Sequence, residues 1–241
     1  MSDREVTRSL VGVDGCRGGW IAVIAEVDQP DQIIAVEVFA HITPILDRVR
    51  SGEFVMVALD MPMGLTASGP RRCDVETRAR LGSRGSSVFA TPPRALLGCA
   101  THREAVELGR DLHGRGISIQ AFNLLPKIAQ IDEALGEPPD PTLLERVFEA
   151  HPESAFAELA GHPLTTRKRT GEGRQERLAL LSSVFSGGTE LLDRRHRGAA
   201  GDDVLDAAIL VRTAHRVITG DAVILGGGDR DERGVPMRVA I

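Results

Sequence analysis

Residues 10–39 read LVGVDGCRGGWIAVIAEVDQPDQIIAVEVF: three apolar runs separated by two turn signals. Leu10–Asp14 is a short β-like run, and Gly15-Cys16-Arg17-Gly18-Gly19 after it is turn chemistry. Trp20–Glu26 and Ile33–Phe39 follow, joined through Asp28-Gln29-Pro30-Asp31. Connections this short leave no room for a crossover helix, so the three runs predict an antiparallel meander.

Working outward, Thr43–Ser51 has a helical pattern with Thr43 as cap and Pro44 in the first turn. Phe54–Asp60 (FVMVALD) is nearly continuously apolar, as expected of a strand buried on both faces. The chain then changes character from about residue 61 to 143. This stretch holds a charged helical piece at Asp74–Leu81, the loop SRGSSVFATPPR, helices at Thr101–His113 and Gln120–Leu135, and a Pro-rich stop at Glu137–Pro141. Beyond it the pattern predicts a strand at Leu144–Glu149 and a helix at Pro152–Leu159. A basic segment, Thr165–Arg177, leads into a helix through about Phe185. Gly201–Thr219 is the clearest long helix, and Ala222–Leu225 and Met237–Ile241 are terminal strands. With the insertion removed, the order is β-β-β-α-β, then a strand and a late helix. That order predicts an α/β fold with an RNase H-like core: a mixed five-stranded sheet, with a three-strand antiparallel meander plus parallel strands, carrying a helical insertion at about 61–143. Residues 1–241 then form a single domain.

Composition narrows the function. Hydrophobic residues make up 42% of the chain, enough for a core, while aromatics are only 3% with no tyrosine, a poor supply for stacking single-stranded bases. Of the 29 basic residues only Lys127 and Lys168 are lysines. Arginine suits phosphate and carboxylate oxygens, although a lineage bias gives the same composition. A net charge of −5 argues against a generic nucleic-acid coat but not against a nuclease, whose metal-holding carboxylates count as negative until the metal arrives. Cys16, Cys73 and Cys99 lack paired spacing and read as free thiols of a reducing compartment. The opening MSDREVTRSL has no apolar targeting core and no window reaches the length of a membrane span, so a cytoplasmic location is expected.

Acidic residues carry the chemistry. Asp14 and Asp60 each end an apolar run and are each followed by chain that leaves the strand, Gly15 in one case and Met61-Pro62 in the other. If the two strands are parallel neighbours, both carboxylates lie at the carboxyl edge of the sheet, where open α/β sheets bind ligands. Aspartate also starts turns, which explains either residue alone. In GDDVLDAAILVRTA, Asp203 and Asp206 share a helix face. Asp202 as cap and Asp203 as dipole partner account for two of the three acids. Asp206 heads the stripe Ile209, Leu210, Thr213 and Val217, and a carboxylate on that inward face is costly unless paired or bound to metal. Glu149, His151 and Glu153 lie in EAHPE; Glu149 follows an apolar run as Asp14 does, and Glu153 suits a first helical turn. Several carboxylates converging in this way make a hard oxygen site for Mg²⁺ or Mn²⁺, and a pair of such ions can hydrolyse a phosphodiester.

The motifs GVDGCRGGW, ALDMPMGL, RRCDVETRARLG, SSVFATPPR, Gln120 with LLPKI, EAHPESAF and GDDVLDA together resemble the family catalogued as domain of unknown function 429, across nearly the whole chain. Its members are described as predicted RNase H-like nucleases. The Asp203-x-x-Asp206 pair is also similar to the helix-borne aspartates of Holliday-junction resolvases. That likeness implies Asp14 as central metal ligand, Asp60 as second-strand acid, and Asp203 with Asp206 as the closing pair. Resolvases usually carry glutamate where this chain has Asp60, one methylene shorter, and Glu149 would supply the missing reach.

The expected activity is therefore a metal-dependent nuclease or phosphodiesterase acting on nucleic acid or nucleotide. Asp14, Asp60, Glu149, Asp203 and Asp206 are the catalytic candidates, and all but Glu149 are metal ligands. Substrate contacts are expected from Arg17, Ser87, Arg94, Gln120, Lys127, His151 and Lys168, with Arg167, Lys168, Arg169, Arg174 and Arg177 as a basic patch. Two alternatives share the fold. A sugar-kinase or actin-like phosphotransferase would use the Gly-rich turn after Asp14, but needs a duplicated core that 241 residues hardly hold. A non-catalytic ligand binder is the other.

Overall fold

The computed structural model describes residues 8–241; residues 1–7, most of the opening stretch read above for a targeting signal, lie outside the described residues. The chain forms a mixed α/β fold around one sheet of seven strands in the order β3-β2-β1-β4-β5-β7-β6. The meander forms as expected, from β1 (Ser9–Cys16), β2 (Gly19–Glu26) and β3 (Ile33–Phe39), with β2 antiparallel to both neighbours. β4 (Phe54–Leu59) joins parallel to β1, and β5 (Val147–Ala150) parallel to β4. Two short strands, β6 (Ile224–Leu225) and β7 (Val239–Ala240), extend the sheet to seven where five strands were expected, with β7 parallel to β5.

Helices cover both faces. On one lie α6 (Pro152–Ala160), α7 (Gly171–Ser182), α8 (Glu190–Asp193) and α9 (Gly201–Thr219), packed over Leu10, Ala58 and Phe148. On the other lie α1 (Thr43–Arg50), α4 (Ile119–Ala134) and α5 (Pro141–Arg146), over Val11, Val13, Val57 and Leu59. α2 (Arg72–Leu81) and α3 (His102–His113) complete the insertion, with 3₁₀ turns at Gly82–Ser87 and Arg94–Gly98. Among the described residues no helix is long and apolar enough to cross a membrane.

Three local expectations are corrected. Thr43 is the first helical residue of α1 rather than its cap; Ile42 takes that position with no side-chain bond, and Pro44 tolerates it because a first-turn N–H has no helical partner. Leu144–Arg146 are helical, because Asp140 caps a short helix through the Thr142 N–H (2.9 Å) before the strand begins at Val147. Asp202 does not cap α9. Ala200 is the cap residue, and Asp203 reaches back to accept its N–H at 2.9 Å.

The long helix lies directly on the first strand. A Cβ at Gly12 would fall on the Ala207 carbonyl oxygen and 2.6 Å from the Val211 nitrogen. Only glycine lets α9 approach β1 so closely. That contact fixes the height of Asp206 above the strand end.

Candidate functional site

Strand register sets the first two carboxylates. Val13 lies beside Leu59 in the parallel β1–β4 pair, and the Asp60 N–H donates to the Val13 carbonyl at 2.8 Å. Asp14 and Asp60 are thus the next step on adjacent strands. Side chains alternate between faces, and with Val13 and Leu59 on the α4 side, Asp14 and Asp60 turn toward α9. From above, α9 contributes Asp206, which is 1% exposed.

The carboxyls are close enough to govern one another's charge. Burial first, then the charges of Asp60 and Asp206, hold the Asp14 pKa well above the ordinary range. Burial and the Asp206 charge push Asp60 up to about 8. Burial raises Asp206 to about 6 despite the Lys168 ammonium beside it. Asp203 is raised by burial as well, with its Ala200 bond pulling the other way.

Both lysines of this arginine-rich chain meet the cluster. Lys168 donates its ammonium to Asp206 Oδ2. Burial disfavours its charge, but Asp206, Asp14 and Asp60 outweigh that and raise its pKa. Lys127 arrives from the opposite face on α4. Its stem passes over Gly15, its ammonium donates to the Gly19 carbonyl, and it lies 4.8 Å from the Trp20 ring centroid. Burial lowers its pKa, against the attraction of Cys16, Asp14 and Asp203.

A cleft of about 610 Å³ opens beside Asp60 and Asp206. Arg84, Arg167, Lys168 and Arg169 line it with Ser87, Gln120 and His151. His151 caps α6 by accepting the Ser154 N–H (3.3 Å), and burial lowers its pKa to about 4, so it is neutral near pH 7. Glu153 is held by Arg177 (2.6 Å) and Arg84 (3.4 Å).

Four sequence expectations change. Glu149 is level with Leu59, one step short of Asp60, so its side chain leaves by the opposite face. There both its oxygens accept from Arg71 (2.6 and 2.7 Å) and one also from the Met63 N–H (2.9 Å). Since Arg71 also bonds Asp74 and the Met63 and Gly64 carbonyls, Glu149 anchors the insertion to the sheet. Arg94 pairs with Asp132 and Asp231, outside the cleft. Arg177 is buried against Glu153 rather than belonging to a surface patch, and Arg174 pairs with Asp193 at 2.7 Å. Arg17 and Asp203 line a separate groove. Arg84 was not anticipated; its place in the cleft depends on the 3₁₀ turn at Gly82–Ser87, which local pattern does not announce.

Among the described residues no three carboxylate, imidazole or thiol groups are already arranged to hold a metal ion. The chemistry of the donors nevertheless suits a hard divalent cation. The carboxyls of buried Asp14 and Asp206 and half-buried Asp60 raise one another's pKa, and Asp206 Oδ1 is buried with no hydrogen-bond partner.

Fold and site define the chain as a mixed α/β protein with an acidic cluster at the carboxyl ends of parallel strands. Over residues 12–230 it matches the family model described as protein of unknown function (DUF429), and it belongs to that family. No curated protein and no solved structure matches it.

Proposed function

We propose that this protein is a divalent-metal-dependent phosphodiesterase on an RNase H-like core. The fold part is supported by the antiparallel β3-β2-β1 meander, the parallel β4 and β5 beside it, and the late helix α9 packed across β1. The activity rests on one observation. Asp14, Asp60 and Asp206 are brought together at one sheet edge, each with a raised pKa, beside a cleft carrying four cationic side chains.

Asp14, Asp60 and Asp206 would hold Mg²⁺ or Mn²⁺. When bound, the cation would supply an activated water and charge neutralisation at the leaving oxygen. Arg84, Arg167 and Arg169 bind the nonbridging oxygens of the substrate phosphate from the cleft wall. Asp60, whose pKa burial and the Asp206 charge raise in the metal-free chain, would give up its proton as the cation binds. Lys168 leaves Asp206 and turns to the phosphate. His151, neutral and capping α6, keeps that wall rigid.

The experiment is Mn²⁺-dependent cleavage of a panel of DNA, RNA, branched junctions and small phosphodiesters, comparing wild type with Asp14→Asn. Cleavage that disappears in the variant carries the reading. A metal-loaded wild type that leaves every substrate intact overturns it.

A further inference from the structure

Arg17, Arg195 and Arg197 line a second groove, of about 860 Å³, which also takes in Asp203, while the cleft takes in Asp206. Two glycines build it. The Gly18 N–H donates to the Gly198 carbonyl at 2.7 Å, and a Cβ at Gly18 would come 3.0 Å from the Gly198 Cα. That approach sets the β1–β2 turn, with Arg17, against the segment leading into α9, with Arg195 and Arg197. All three arginines are exposed, and none has a carboxylate within ion-pair distance among the described residues. Exposed arginines elsewhere, such as Arg80, Arg110 and Arg115, also lack an ion-pair partner among the described residues; what sets Arg17, Arg195 and Arg197 apart is that they line one groove together. Asp203 faces this groove and Asp206 faces the cleft, one helical turn apart on α9. Any ligand reaching from the cleft into the groove therefore crosses the acidic cluster.

We infer that the ligand of this site is a polynucleotide strand, with Arg17, Arg195 and Arg197 binding backbone phosphates on one side of the cluster while the cleft binds them on the other. The inference rests on the phosphodiesterase reading for the identity of the bond between the two. A mononucleotide or small diester seated in the cleft has no phosphate left to reach the second groove, so three unpaired guanidiniums there point to a longer chain. The groove lining contains no Phe, Tyr or Trp; its one ring, the His196 imidazole, is tied to the Leu191 carbonyl (2.8 Å), and Trp20 is fully buried, so the strand is held mainly by charge rather than base stacking. The net charge of −5 is no obstacle, since each cleft carries its own cluster of basic side chains.

The test measures binding of a labelled 20-nucleotide single strand, DNA and RNA in separate arms, to the full chain in EDTA, where cleavage is silent. Wild type and Arg195→Ala/Arg197→Ala are compared from about 50 to 200 mM salt. The expected result is a loss of roughly tenfold or more in affinity, with the slope of log K against log salt reduced by about 1.4 for two lost phosphate contacts on a single strand. Binding of either strand with unchanged affinity and slope in the variant overturns the inference. Mn²⁺-dependent hydrolysis of bis(p-nitrophenyl) phosphate by wild type is followed in parallel. Hydrolysis with groove-independent strand binding removes the groove and leaves the phosphodiesterase reading standing. Groove-dependent binding without hydrolysis of the small diester does the reverse.

Discussion

Lys168 donates to one oxygen of Asp206 while the other, equally buried, meets no donor. The ammonium therefore stands where the proposed divalent cation would sit, without satisfying the carboxylate it pairs with. A point charge on a flexible stem can leave such a position; a forked guanidinium bound at several points does so less readily.

Lys168→Met removes that internal cation. At one fixed, buffered pH the variant should bind Mn²⁺ roughly tenfold tighter, because repulsion between ammonium and metal is gone. Titration calorimetry measures it. Equal or weaker affinity would show that Lys168 supports the metal instead of holding its place. Turnover should fall in the same variant if the ammonium also turns to the phosphate.

Protonation sets the stability of the metal-free chain. Burial and neighbouring carboxylates hold the Asp60 pKa at about 8 in the folded state, against 3.8 for the free group. The folded protein thus binds the extra proton throughout that interval. The stabilising contribution is complete below about pH 4 and is lost as pH rises through 8. His151 acts oppositely but only below its free value of 6.5, so the window from pH 6.5 to 8 isolates the carboxyls. In EDTA the Tm should fall between those two pH values, and Asp60→Asn should flatten the slope. A Tm that rises over that window in wild type would contradict the electrostatics described here.

Glu149→Gln separates anchoring from catalysis. Breaking its buried pair with Arg71 should cost about 3–5 kcal/mol of stability, seen as a lower midpoint in urea. The folded fraction should keep wild-type Mn²⁺ affinity, because the side chain leaves the sheet by the face opposite Asp60. Loss of metal binding at unchanged stability would restore Glu149 to the site.

Gly12→Ala drives a methyl group into the backbone of α9. The helix must shift off β1, at a cost of about 1–3 kcal/mol or more. Because Asp206 rides on that helix, Mn²⁺ affinity should fall alongside Tm, whereas Gly98→Ala, with open space around it, should change neither.

Much of this arrangement was legible in the chain. Apolar runs separated by two short turn signals marked the meander, and the inward stripe running from Asp206 gave α9 its observed limits, Gly201–Thr219. Glu149 was misread because a strand's own pattern says which residues share a face but not which face meets which neighbour; register with β4 decides that. Arg94 looked free because its partners, Asp132 and Asp231, lie 38 and 137 residues away in sequence. The run RRHR at 194–197 was visible in the sequence, yet only the contact between Gly18 and Gly198 turns it into a groove wall.

The two lysines have a practical consequence. Reductive methylation with ¹³C-formaldehyde would label, besides the α-amine, only the amines of Lys127 and Lys168, which approach the acidic cluster from opposite faces of the sheet. Two methyl resonances would then serve as native reporters of cation arrival and strand passage, with no tag introduced and no background from the rest of the surface.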